Sequence, residues 1–347
     1  MPSVPSSTST SKGVRLLSPL AGLAGGVAAA LLALEIAFRI LPVGTSTNTG
    51  YYIDPLLLTY PAGQRFTSAT GWDLQNARRN HANNYGYVAD HDFVENPRAI
   101  ALIGDSYVEG SMLERQDRFA AQIEAQLRDR PVYSFGSPGT ALLDYAERIR
   151  FASERFAIRD FVLLLERGDV AQSLCGSGNV AARCLDPMTL EPRIEKQPEP
   201  GRVKQLVRQS ALAQYVFSQL KLDPVRWLRS LLQREHTPTP TAALPGQKRA
   251  EHFAARVIDE FFTRTAPHRR GKLILVLVGE DTDGTQRQLR EAAERHGALV
   301  IQGEPLLHAA SAQTGLSTQV SPRDAHLNRL AFATLAERVA ALLARAD

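Results

Sequence analysis

The sequence predicts an α/β protein, a three-layer α/β/α sandwich on a parallel sheet, with an N-terminal transmembrane helix and a helical insertion. Three observations carry that prediction. Short, continuous apolar runs at 99–103, 132–135, 161–165, 273–278 and 299–301 have the length and make-up of strands buried on both faces. Helical periodicity at 118–128, 144–156 and 286–296 falls between several of them, and that alternation implies a parallel sheet covered on both sides. Ahead of both lies an uncharged stretch, Leu16 to Leu34, that is long enough to cross a bilayer.

Residues 1–12 are rich in Ser, Thr and Pro and read as a disordered tail. Residues 14–41 form the anchor: the uncharged run continues as EIAFRIL and stops at Pro42, and Glu35 and Arg39, four apart, pair near its end. A cleaved signal peptide is the competing reading. No convincing small-x-small cleavage site follows the apolar run, and no Cys is placed for lipidation. Lys12 and Arg15 precede the run and only Arg39 closely follows it, so the N-terminus is expected in the cytoplasm and the remainder on the periplasmic or extracytoplasmic side. Residues 43–95 read as an irregular, polar approach that includes Asn84, Gly86 and Tyr87 in NNYGYVADHDF.

The main domain is expected over 96–347, with an insertion at about 170–271. A structureless loop of that length would be exceptional. The segment holds a Pro-rich stretch at 187–200, amphipathic patterns at 203–220 and 225–233, a TPTPTAALPG linker and a helix at 248–265, so it reads as a helical cap or docking element. Cys175 and Cys184 lie close together in CGSGNVAARC. Two thiols without His neighbours make a poor zinc site, and no metal is expected. In an oxidising compartment they would close a short loop, worth about 2–3 kcal/mol; two unpaired structural thiols are the alternative. The formal charge is +4, with Lys and Arg scattered, which gives no support to nucleic-acid binding.

The chemistry begins where the first strand ends, because open parallel sheets place their sites beyond the carboxyl ends of strands. RAIALIGDS puts Ser106 there, at a turn into a helix whose N–H groups and dipole favour a developing oxyanion. Such a serine attacks a carbonyl once a base removes its proton. Gly-Asp-Ser alone is also an ordinary turn, and Asp105 reads as a turn-shaping residue. Near the C-terminus, SPRDAHLN supplies a base in His326 with Asp324 beside it; the competing roles are a histidine at the start of the last helix and an acid interacting with its dipole.

These blocks resemble the SGNH hydrolase superfamily, the GDSL-like lipases and acylhydrolases, in its bacterial membrane-anchored form. ALIGDSYVEG resembles the nucleophile block, NNYGYVADHDF the Asn-x-x-Gly-aromatic element before it, YSFGSPGTA the glycine turn after the second strand, and SPRDAHLN the block of the base. The resemblance implies a flavodoxin-like sheet, Ser106 as nucleophile, His326 as base, Asp324 as orienting acid, and backbone N–H groups of Ser106 and Gly136 as the oxyanion hole. Two blocks depart from the family pattern. Where Gly-x-Asn-Asp is usual the chain reads Glu166-Arg167-Gly168-Asp169, with glycine in place of the oxyanion-hole asparagine, and the acid–base spacing is Asp-x-His rather than Asp-x-x-His. Losing one such donor costs about 100- to 1,000-fold in turnover. Arg167 and Gly168 are therefore candidate site residues, with a strand-end ion pair of Glu166 and Arg167 as the alternative.

His268, His296 and His308 have no partner pattern and read as surface residues. The expected function is ester hydrolysis or acyl transfer on an acylated envelope glycan or lipid through an acyl-serine, without cofactor. The alternative of a different class is a non-catalytic, membrane-tethered glycan-binding or scaffold protein.

Overall fold

The structure, a computed structural model, describes residues 14–45, 48–179, 182–220 and 247–345. The expected tail at 1–12, the amphipathic pattern at 225–233 and the TPTPTAALPG linker lie outside them. In chain order the elements begin with helix α1 (Val14–Ile40) and a hairpin of β1 (Arg65–Thr70) and β2 (Gln75–His81). Then come β3 (Ile100–Gly104), α2 (Ser106–Glu109), α3 (Phe119–Leu127), β4 (Val132–Gly136), α4 (Leu142–Phe156) and β5 (Asp160–Leu165). The insertion carries a small hairpin of β6 (Arg183–Leu185) and β7 (Pro192–Ile194), then α5 (Arg202–Val207), α6 (Ala211–Gln214), which runs into a π-helical turn at Tyr215–Gln219, and α7 (Gln247–Thr265). The chain ends with β8 (Leu273–Leu277), α8 (Thr285–Arg295), β9 (Leu299–Gln302), α9 (Gly303–Thr314), β10 (Gln319–Ser321), β11 (Asp324–Leu327) and α10 (Arg329–Ala344).

The five apolar runs form one parallel sheet in the order β4-β3-β5-β8-β9. Counted along the chain this is 2-1-3-4-5, the flavodoxin-like order, whose switch point lies between β3 and β5. Alternate residues divide the core. Ala101, Ile103, Phe135, Leu163 and Leu275 pack with α4, α7 and α8, whereas Ile100, Leu102, Val132, Val162 and Val276 pack with α3, α9 and α10. Strand period two thus builds the three layers.

The approach at 43–95 is more regular than its composition predicts. Its β1–β2 hairpin reads as polar because it pairs only with itself and buries little. In NNYGY, Asn83 Oδ1 accepts from the Tyr85 and Tyr87 amides, while Asn84 exchanges hydrogen bonds with the Phe93 backbone. Gly86 has φ +77° and a Cβ there would stand 1.9 Å from the Tyr60 carbonyl oxygen, so only glycine fits this crossing. The amphipathic pattern at 203–220 is not one helix. It breaks at Ser210, whose Oγ caps α6 by accepting from the Ala213 amide. Cys175 and Cys184 are joined in a disulfide. Within α1, Ala21–Ile40 has a mean hydropathy of 1.9, no part of its apolar window is buried inside the protein, and it is long and apolar enough to cross a membrane.

Candidate active site

The turn that carries Ser106 is shaped by glycines at both ends. A Cβ at Gly104 would meet Val108 Cγ2 at 2.5 Å, and Gly110 closes α2 with φ +59°. Asp105 caps the helix, accepting from the Tyr107 amide at 2.9 Å. The first strand's last carbonyl, Gly104 O, accepts from Nη1 of the fully buried Arg148 at 2.8 Å. On the other side, the Tyr60 hydroxyl donates to buried Glu109 at 2.5 Å, so the glycine crossing at Gly86 buttresses the helix that begins with Ser106.

Ser106 Oγ lies 2.9 Å from His326 Nε2, and His326 Nδ1 lies 2.6 Å from Asp324 Oδ1. An ionised carboxylate only accepts, so Nδ1 carries the proton and Nε2 is free to accept from the serine hydroxyl. The hydrogen bond from His326 is the largest of the influences that hold the Asp324 carboxyl below its ordinary range. Asp324 Oδ2 accepts from Thr70 Oγ1 at 3.3 Å, and the His326 backbone N–H donates to Oδ1 at 3.1 Å. The Tyr107 ring lies 4.7 Å from the imidazole. The unusual Asp-x-His spacing has a simple cause: residues 324 and 326 lie in strand β11, where i and i+2 share a face. His326 does not start the last helix, which begins at Arg329 with Asn328 as its cap.

The third block forms a tight turn at the end of β5. Asp169 Oδ2 accepts from the Glu166 amide, its Oδ1 from the Tyr145 hydroxyl at 2.8 Å, and Glu166 Oε1 from the Gly168 amide at 2.8 Å. Arg167 is exposed and its Cβ lies 3.6 Å from the Cβ position of Gly279, so it does not pair with Glu166 as a strand-end bridge among the described residues. Burial, followed by the charges of Asp105 and Glu166, raises the Asp169 carboxyl well above the ordinary range. Burial also pushes Asp105 up to about 6, reinforced by Glu166, and Tyr107 up to about 12, reinforced by Asp105, Glu166, Asp324 and Asp169. The surroundings of Ser106 are thus acidic.

Gly136 has a packing task rather than the expected oxyanion role. A Cβ there would stand 2.2 Å from the Glu109 amide nitrogen, so glycine is what lets α2 cross the end of β4. Ile100 N donates to Pro131 O and Ser137 N to Gly104 O, so alternate residues of β4 bond to β3 and the Gly136 N–H faces the opposite edge, away from β3. In the following turn, Gly139 adopts φ +72° with open space around its Cβ position.

Sequence reasoning passed over Thr70, Tyr107, Tyr145 and Arg148. Thr70 meets Asp324 across 254 residues, and no local pattern marks such a pair. His268, His296 and His308 stand apart, His268 beside Glu154, His296 stacked on Phe262 and His308 paired with Glu304. Cys175, Cys184 and Glu195 come together, but the disulfide occupies both thiols. A cavity of about 530 Å³ lined by Gly279, Gln286 and His308 does not include Ser106; bond geometry, not cavity size, locates the chemistry.

No family model and no curated protein matches the chain. Among solved structures it is similar to LAE5, an alpha/beta hydrolase enzyme from the metagenome of Lake Arreo, at 15% identity and a TM-score of 0.41, over 72% of this chain and 95% of that one. It is similar to a member of the lipolytic protein G-D-S-L family from Veillonella parvula, at 13% identity and a TM-score of 0.38, over 72% and 99%. A GDSL-like lipase from Parabacteroides merdae aligns at 10% identity and a TM-score of 0.35, over 72% and 98%.

Proposed function

We propose that this protein is a membrane-anchored serine hydrolase of the SGNH type that cleaves or transfers neutral acyl groups through an acyl-serine. The observation that carries the reading is the unbroken relay from Ser106 Oγ through His326 to Asp324, with both contacts at hydrogen-bonding distance. His326 Nε2 takes the serine proton as Oγ attacks an ester carbonyl. The resulting imidazolium is held by ionised Asp324, and His326 then returns the proton to the leaving alkoxide. Water, or an acceptor hydroxyl, repeats the sequence on the acyl-enzyme.

The oxyanion is assigned to the Ser106 amide at the first position of α2, with a second amide from Gly139 or Thr140 in place of Gly136. The acid-rich surroundings disfavour anionic acyl groups, which favours an acetyl or another uncharged acyl group on an envelope glycan or lipid. The apolar α1 and the disulfide support an anchored, extracytoplasmic placement. A non-catalytic scaffold draws its support from the missing third-block asparagine; the complete relay speaks against it.

Labelling of the full chain with a serine-reactive fluorophosphonate, alongside turnover of an aryl acetate, tests the reading. The wild type should label and turn over, and Ser106→Ala should do neither. A wild type no more reactive than Ser106→Ala removes the enzyme from consideration.

A further inference from the structure

The charge inside the apolar helix points to how the domain sits. Glu35 lies five residues before the end of α1, about 7.5 Å below it at 1.5 Å per residue. A carboxylate at that depth needs partners. It has four: Arg39 at 2.7 Å, Ser210 Oγ at 2.8 Å, and the amides of Ala211 and Leu212 at 3.1 and 3.0 Å. Phe38, one turn further on, stacks on Tyr215 with ring centroids 4.3 Å apart. The Tyr215 hydroxyl donates to the backbone carbonyl of Trp72, and Gln219 Nε2 donates to the carbonyls of Ala69 and Gly71. Segment 210–219 and the tip of the β1–β2 hairpin are therefore fixed beside the last two turns of α1.

From these contacts we infer that α6, the π-helical turn after it and the hairpin tip at Trp72 form a foot seated in the headgroup region of the bilayer. The inference rests on the anchoring of α1 proposed above. Its occupant is an anionic lipid surface, on three grounds. The surface is continuous with the apolar helix, whose exposed Ile36, Ile40 and Leu41 lead to exposed Phe217 and to Trp72, whose relative exposure is 64%. Aromatic residues of this kind are favoured at the membrane–water boundary, and interfacial helices settle at about 5–10 Å depth. A cleft of about 530 Å³ at the junction is lined by Phe38, Thr45 and Thr67 together with the cations Arg39 and Arg79, a fit to a phosphate headgroup.

The foot also reaches the catalytic relay. Thr70, two residues from Trp72, donates to Asp324 Oδ2. Seating therefore sets the orientation of the active site to the membrane, and the ester it takes is one carried at the membrane surface.

The chain has two tryptophans, so Trp227→Phe leaves Trp72 as the sole indole. This variant of the full chain is reconstituted into phosphatidylcholine–phosphatidylglycerol vesicles, and Trp72 emission is read with lipids brominated near the headgroup and with aqueous iodide. The foot predicts blue-shifted emission, at least about twofold quenching by the brominated lipid, and protection from iodide. Chain that floats with the vesicles while Trp72 is quenched by iodide and not by brominated lipid overturns the foot and leaves the anchor standing. Chain that does not float overturns the anchor and the foot with it. In a second arm, Trp72→Ala should lower turnover of a vesicle-borne ester several-fold while a soluble aryl acetate is hydrolysed as before; equal loss on both substrates counts against the foot.

Discussion

Replacing Asp324 by asparagine tests the relay at the point where this sequence departs most from the family pattern. The side chain keeps its size but loses its charge, and its amide can face Nδ1 and force the tautomer in which Nε2 no longer accepts from Ser106. The carboxylate and the imidazolium that forms in the transition state sit about 4 Å apart between centres; at an effective dielectric of about 20 their attraction is about 4 kcal/mol. Because that cation exists only during reaction, the loss falls on turnover, about 1,000-fold. The assay is kcat for an aryl acetate with the detergent-solubilised full chain, paired with the rate of fluorophosphonate labelling. Arg323→Ala is the control: Arg323 is an exposed partner of Asp73 at 3.3 Å, and its removal should change kcat less than about twofold. A drop of tenfold or less in Asp324→Asn, or an equal drop in Arg323→Ala, would refute the assignment of Asp324 as the orienting acid.

Thr70→Val removes a side-chain donor to Asp324 Oδ2 and should lower kcat by about fivefold, the worth of about 1 kcal/mol, with KM unchanged. Burial pushes Glu109 up to about 7, above its unfolded value of 4.5, so its contribution to stability is full below pH 4.5 and is lost as pH rises towards 7, by roughly 3 kcal/mol. Asp105 and Asp144, pushed up to about 6, act in the same direction. Thermal unfolding of Glu109→Gln should therefore show a flatter dependence between pH 4.5 and 7 than the wild type, and parallel curves would disprove it. Gly136→Ala should destabilise by about 1–3 kcal/mol, because its Cβ meets the Glu109 backbone, and should slow labelling of Ser106 as α2 is displaced. Removing both cysteines should cost about 2–3 kcal/mol, read as a lower Tm that reductant reproduces in the wild type.

The sheet was legible in the sequence because four of its strands, β3, β4, β5 and β8, are buried on both faces, and such strands are written as continuous apolar runs; the edge strand β9 is short and half-exposed but keeps its apolar core. The helices between the strands differed by at most two residues at their ends, as with Arg118–Arg128 against Phe119–Leu127 and Asp144–Phe156 against Leu142–Phe156. The β1–β2 hairpin was not legible, since a self-paired, half-exposed ribbon of Arg, Asn and Thr carries no apolar alternation. Likewise the break at Ser210 is made by a cap inside an otherwise helical pattern, which periodicity alone passes over.

For the site, Ser106 and His326 were legible as candidates, because Ser106 stands at the end of a buried strand and His326 stands in a block of its own. Their partners come together only when the chain folds. Asp324 meets His326 despite the Asp-x-His spacing because both lie in strand β11, which puts their side chains on one face. Thr70 supports Asp324 from the far end of the chain, Gly136 yields its expected oxyanion role to packing beneath α2, and Glu35 finds its partners 175 residues away. Local pattern records what a strand or helix must be; contacts between distant segments leave no trace in it until the chain is folded.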